Sequence, residues 1–352
     1  MASWRSTCTY VDAVPPSKAN VVDGMWIFKV KRPPGSPPVF KVRYVARGFN
    51  QRLLHCASLG PLTRGDLAVV SSGFTGTFPP GTQWSLRRPV YGLRQAPREW
   101  YDTLRTTLAH LVFHPSSANP SLFVRRGSTP LFVFVYVNDL VFATADKVSL
   151  AEVKSKLQKR HTCTDLGELR RYLALHNTRD RAVCTITLSQ SHMVQQSSGF
   201  CAELMACLMY LMTCTRPDLT FPLMVLSCFV ANRRHRLVHW TAAVRVAKYL
   251  ATTSGVGLVL GGKLSVVLTG HCDSSYADDV ETQRSTQGYC LSLGARDVSW
   301  RSTESLSMAQ FSAEAEIYAG AMAAQELLVG ATLRFAFGLL SVCVHVCVHG
   351  MV

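Results

Sequence analysis

Hard-acid chemistry in this chain is concentrated at a few carboxylates. Leu131 to Ala143 reads LFVFVYVNDLVFA, so Asn138 and Asp139 stand at the centre of an otherwise apolar run. A polar pair in such surroundings costs desolvation free energy unless something compensates it. One compensation is a tight turn, because Asn and Asp tolerate left-handed backbone and hydrogen-bond their own loop. The other is a rigid hairpin tip that grips a divalent cation through anionic oxygen. The residues alone leave both open. Further along, Asp273 ends the apolar stretch Val266 to Cys272, and Glu316 lies in Ser312-Ala313-Glu314-Ala315-Glu316 near the start of a helical pattern. Asp278 and Asp279 read as caps of the turn before Val280.

The second chemical signal is positive charge. Lys and Arg outnumber Asp and Glu by 37 to 22, a formal net charge of +15 with a pI near 9.5. That balance favours a polyanionic partner over a generic basic surface wherever the charges cluster. Lys41, Arg43 and Arg47 lie two and four residues apart, a spacing that puts them on one strand face. Arg87, Arg88, Arg94, Arg98 and Arg105 are interleaved with Trp84, Tyr91, Trp100 and Tyr101. Guanidinium forks hold phosphate while aromatic faces stack on unpaired bases, so this interleaving points to nucleic acid.

Other chemistries are disfavoured. The twelve cysteines include no Cys-x-x-Cys pair and read as reduced thiols of an intracellular protein. Cys343-Val344-His345-Val346-Cys347-Val348-His349 alternates like a strand. Its outer ligands would then stand about 20 Å apart at ~3.3 Å per residue, and collinear ligands cannot surround one ion. No structural zinc is expected. Leu327 to Val348 is apolar, yet its first part belongs to a helix with a domain to pack on, and no membrane partner is expected. Arg216-Pro217-Asp218 likewise interrupts the apolar run Leu204 to Val230.

The elements that must position these residues follow from periodicity. Trp26 to Val30 and Val39 to Ala46 read as strands joined by the turn Pro33-Pro34-Gly35-Ser36-Pro37-Pro38. Ala96-Pro97 opens a helix with proline at a favoured position, and Trp100, Leu104, Leu108 and Leu111 form its core face. Ser121 to Val124 and Leu131 to Val137 read as strands, and Val148 to Lys159 as an amphipathic helix. Helices are expected from Glu203, around Leu219, and from His239 to Ala251. Strands over Val266 to Cys272, Gly288 to Leu293 and Val298 to Trp300 precede a helix over Ala313 to Leu328.

Several blocks resemble the Pol polyprotein of copia-type LTR retrotransposons, in the same order. Tyr136-Val137-Asn138-Asp139 is similar to the Tyr-x-Asp-Asp box of reverse transcriptases, with Asn in place of the first Asp. Lys41 to Gln51 (KVRYVARGFNQ) resembles the fingers segment, and Val90 to Tyr101 (VYGLRQAPREWY) the L-Y-G-L-K/R-Q-A-P-R-x-W block. Asp165-Leu166-Gly167-Glu168-Leu169, Leu208-Met209-Tyr210-Leu211 and Thr215-Arg216-Pro217-Asp218-Leu219 match later blocks. Arg284-Ser285-Thr286-Gln287-Gly288-Tyr289 and Ser312 to Glu316 resemble those of the RNase H region.

The resemblance implies an α+β fold: reverse-transcriptase fingers and palm over residues 1–190 and a helical thumb-like segment over 191–262. A truncated α/β RNase H-like domain over 263–330 and an unmatched tail over 331–352 follow. It implies two-metal chemistry with Mg2+ or Mn2+, with an RNA template, dNTP and RNA–DNA hybrid as partners. Asn138, Asp139, Asp273 and Glu316 take the catalytic positions, and Asp139, Asp273 and Glu316 are the metal ligands. Lys41, Arg43, Arg47, Arg94, Gln95 and Arg98 take the nucleic-acid positions. The location implied is intracellular, in the cytoplasm, a virus-like particle or the nucleus. Three departures bear on activity. The palm strand with the first catalytic Asp has no match between Arg52 and Pro89, where Asp66 is the one carboxylate and reads as a loop residue. Asn138 is neutral. The third RNase H acid, due some tens of residues past Leu328, finds no match up to Val352. A degenerate copy, catalytically defective, is therefore expected; a non-catalytic nucleic-acid-binding protein and a non-folding product are the alternatives.

Overall fold

In the computed structural model, the described residues are 10–12, 20–31, 37–50, 67–70, 83–86, 90–161, 163–194, 201–231, 237–262, 267–294, 296–336 and 344–348. Asp66, Arg87 and Arg88 lie outside them. The chain divides into two compact units, Met1–His114 with Phe123–Leu157, and Pro115–Leu122 with Gln158–Val352.

In the first unit, β1 (Tyr10–Asp12), β2 (Asn20–Val22), β5 (Leu67–Val70) and β6 (Gln83–Leu86) form a sheet in the order β1–β6–β5–β2. Between them, β3 (Gly24–Lys31) and β4 (Val39–Ala46) make the expected antiparallel hairpin, with Trp26 opposite Tyr44 and Lys29 opposite Lys41. Its base is anchored: the Trp26 and Tyr44 rings meet edge-on at 5.0 Å. Val22, Tyr44, Ala46, Leu86, Val90 and Leu93 form one buried cluster.

α1 (Ala96–His110) has proline in its first turn, Glu99 at its start and His110 at its end, signs that suit the helix dipole. As expected, Leu104 and Leu108 are fully buried; Trp100 and Leu111 are only half-buried. They pack on the sheet of β7 (Leu122–Arg125), β8 (Leu131–Tyr136) and β9 (Asp139–Ala143), in the order β9–β8–β7. Leu131, Val133 and Val135, two residues apart, bury one face of β8 against Leu104, Leu108, Phe113 and Phe123. α2 (Lys147–Arg160) closes the cluster with Val153 and Leu157. The Asp146 carboxylate caps it by accepting the Val148 and Ser149 amides at 2.9 and 3.1 Å.

The second unit holds a sheet of β10 (Arg171–Tyr172), β11 (Leu175–Asp180), β12 (Thr185–Ser189) and β13 (Leu258–Gly261), antiparallel in that order. Helices α3 (Cys201–Cys214), α4 (Thr220–Ala231) and α5 (Leu237–Thr252) share a core through Leu208, Leu211, Leu219, Leu223 and Leu250. A last sheet has the order β16–β15–β14–β17, from β14 (Leu268–Ser275), β15 (Thr286–Leu293), β16 (Asp297–Glu304) and β17 (Val344–Val348). α6 (Ser312–Ala336) lies on it through Ala315, Ala319, Ala323 and Leu327, a stripe at a spacing of four. Small side chains permit a close approach. A Cβ on Gly270 would stand 2.9 Å from both Leu327 and Leu291.

The unmatched tail joins the last sheet. Its alternation reads as a strand, and it supplies β17, which pairs in parallel with β14 from Leu268↔Val344 to Cys272↔Val348. Alternating valines with high strand propensity take an edge whose amides and carbonyls need partners. Mixed helix and strand content agrees with the expected α+β architecture.

Candidate functional site

The Tyr136-Val137-Asn138-Asp139 box sits on a two-residue hairpin. β8 and β9 pair with Tyr136 opposite Asp139, so Val137 and Asn138 form the turn. Val137 has φ 53°, a conformation that costs a β-branched residue on the order of 1–3 kcal/mol. Two side chains from the block before and at the start of α1 meet this turn. The Trp100 indole donates to the Val137 carbonyl at 2.7 Å, and the Asn138 amide is hydrogen-bonded to the Tyr91 hydroxyl. Each such bond contributes about 0.5–1.5 kcal/mol, the scale of the strain it opposes. Asp139 is exposed at the tip.

The same block docks on the fingers-like hairpin. The Ala46 amide donates to the Tyr91 carbonyl at 2.8 Å. Arg94 donates from Nε to the Gly48 carbonyl at 3.0 Å and from a terminal nitrogen to the Phe49 carbonyl at 3.2 Å. The contact requires two glycines. A Cβ on Gly48 would stand 2.0 Å from the Gly92 carbonyl, and one on Gly92 (φ 98°) 1.9 Å from the Ala46 carbonyl.

The basic positions therefore separate. Lys41 and Arg43 are exposed on one face of β4; Arg47 is half-buried just past it. Arg98 is exposed beside Asp102 at 4.0 Å. Gln95, expected at a surface, is 5% exposed at the start of α1, because the turn that opens the helix folds its side chain inward. The expected aromatic surface also changes: Trp100 is engaged with the hairpin, and Tyr101 packs its ring 6.1 Å from Phe123.

In the second unit, Asp273 on β14 and Glu316 on α6 come together. Burial pushes the Glu316 carboxyl above its usual range, the Asp273 charge adds to that, and the Ser274 amide opposes it by donating a hydrogen bond. One Glu316 oxygen, Oε2, is buried with no hydrogen-bond partner. Asp278 and Asp279 act as turn caps, as expected: Asp278 accepts the Thr286 amide at 2.7 Å, and Asp279 the Glu281 amide at 2.8 Å.

The Thr215-Arg216-Pro217-Asp218 block makes a closed ion pair. Arg216 donates to both Asp218 oxygens, at 2.9 and 2.6 Å, and to the Thr253 carbonyl and hydroxyl at 3.2 and 2.8 Å. Tyr249 donates to Asp218 at 3.0 Å. Burial alone would raise the Asp218 pKa, but bonds from Arg216 and Tyr249 bring it below the usual carboxylate value.

Residues 67–198 match the family model described as reverse transcriptase (RNA-dependent DNA polymerase). Over 381 residues the sequence is 28% identical to the retrovirus-related Pol polyprotein from transposon RE2 of Arabidopsis thaliana, covering 89% of this chain and 26% of that protein. It is 26% identical over 283 residues to the Pol polyprotein from transposon TNT 1-94 of Nicotiana tabacum, covering 69% of this chain and 21% of that protein. Over most of its length the chain is similar to copia-type retrotransposon Pol polyproteins. It spans about a quarter of the length of these curated relatives. A shorter relative, the secreted RxLR effector protein 161 of Plasmopara viticola, is 41% identical over 119 residues, covering 34% of this chain and 82% of that protein.

How well the Pol-like chain suits divalent metal differs between its two sites. At the hairpin, Asn138 is tied to Tyr91 and Asp139 is one carboxylate; two dications need more anionic oxygen than that. Among the described residues, no group of three or more such ligands gathers at this tip. At Asp273 and Glu316, an orphaned buried oxygen facing a second carboxylate fits one divalent cation. When bound, such an ion supplies Lewis acidity and neutralises the pair. Among the described residues no group of three or more His, Cys, Asp or Glu converges. No helix among them is long and apolar enough to cross a membrane. Sequence reasoning missed the roles of Tyr91 and Trp100. An indole N–H and a phenol beside a polar hairpin were the available signals, since both groups seek partners when they leave water.

Proposed function

We propose that this chain is a reverse-transcriptase-derived protein that binds RNA template or RNA–DNA hybrid without copying it. The observation that supports this most is the hairpin tip. Asn138 replaces a carboxylate and gives its amide to Tyr91, while the hairpin bearing exposed Lys41 and Arg43 is docked onto the same block. Phosphate contacts survive loss of the metal site because they need only positive charge. Mg2+ or Mn2+, dNTP and hybrid remain the ligand classes of the reading, with Asp273 and Glu316 as a residual cation site in an RNase H-like region. An intracellular location goes with these partners.

Primer extension on an RNA template with Mg2+ or Mn2+ tests the reading. No extension is expected; extension that disappears in Asp139→Ala would overturn it. Hybrid binding should weaken steeply with salt, and replacing Lys41 and Arg43 by alanine should lower the log–log slope by about two. An unchanged slope would remove this face from the binding surface.

A further inference from the structure

We propose that Tyr91 and Trp100 are positioning residues that hold the Val137–Asn138 turn, and through it the direction of Asp139. The inference rests on reading this hairpin as a polymerase box. Three observations carry it. The turn places a β-branched residue at φ 53°, where glycine is the usual occupant. Two side chains, nine residues apart on the same block, reach two consecutive turn residues, one by the indole N–H and one by the phenol. That block is fixed from behind by Arg94 and by the Gly48–Gly92 approach, so the indole donor and the phenol acceptor stand on a rigid base. Val137 and Asp139 are exposed, and packing of their side chains contributes little to this geometry. A two-residue hairpin is the tightest available connection, so a rotation at Val137 passes directly to the next residue but one.

The test uses the full chain with Trp100→Phe, Tyr91→Phe and the double variant, each keeping an aromatic side chain while removing the hydrogen-bonding group. Amide hydrogen exchange over residues 136–140 should rise about tenfold in each single variant and further in the double, while exchange at Val133 and Val135 stays unchanged. Adding Val137→Gly to the double variant should bring tip exchange back to within about twofold of its level in Val137→Gly alone, because glycine does not need to be held. A merely structural loss would speed exchange through the strands and would not respond to glycine. Unchanged tip exchange in the double variant overturns the proposal, as does failure of the glycine rescue. The exchange measurements are made without Mn2+ or Mg2+, because the single carboxylate of Asp139 does not hold a two-metal site. Absence of salt-sensitive hybrid binding would sink the proposed function alone, since the exchange measurements depend on neither metal nor nucleic acid.

Discussion

Arg216 with Asp218 and Asp273 with Glu316 are two pairs of charged residues in the same unit, built on opposite terms. In the first the charges are opposite, the guanidinium is 4% exposed, and Thr253 and Tyr249 take up remaining donors and acceptors. In the second the charges are alike, and one carboxylate oxygen is buried with no partner. The first pair is completed by the protein itself. In the second, no partner among the described residues meets that oxygen. A sequence block that looks functional can thus be a strut, while a less prominent pair keeps a buried oxygen without a protein partner.

The sharpest way to test the contrast is to break the closed pair. Arg216→Ala leaves a half-buried carboxylate unpaired and should destabilise the second unit by about 3 kcal/mol, the low end for a buried pair because Asp218 keeps some contact with water. In a thermal melt that corresponds to a fall of roughly 6–12 °C for a unit of this size. A change below 1 kcal/mol would mean the network is ornamental.

The open pair should instead respond to metal. Mn2+ at tenfold above its dissociation constant should stabilise the protein by about 1.4 kcal/mol, and Asp273→Asn should abolish the response in calorimetry. Equal stabilisation of both forms would place the cation elsewhere.

A smaller effect concerns pH. The folded pKa of Asp218 lies below its ordinary 3.8, so its pairing stabilises the fold above 3.8. That contribution is lost as pH falls through the depressed value. Asp218→Asn should therefore flatten the stability curve in this acid window and leave its shape near neutrality unchanged, as denaturant titrations from pH 2 to 7 would show. The smallest effect belongs to Asp139→Ala, exposed at its tip, which should change stability by no more than about 0.5 kcal/mol. A larger loss would give Asp139 a structural contact.

Elements with strong local periods were legible before any fold was known. The β3–β4 hairpin, α1 with its proline start, the β8–β9 strands and the helix bearing Glu316 all appear where alternation or four-residue spacing placed them. The sequence also located the box at Asn138 and Asp139, because polar residues inside an apolar run are conspicuous. β11 was not legible: its LHNTRD stretch has little strand propensity and forms through pairing with its neighbours. The role of the tail was equally hidden, since an edge strand depends on the edge it meets. Which charged and aromatic groups are already used became visible only in the folded chain. Arg94, Gln95, Trp100 and Arg216 read alike in sequence as ligand-binding residues or motif letters. Burial and hydrogen-bond geometry join residues 37 or 46 positions apart, and no local period records that distance.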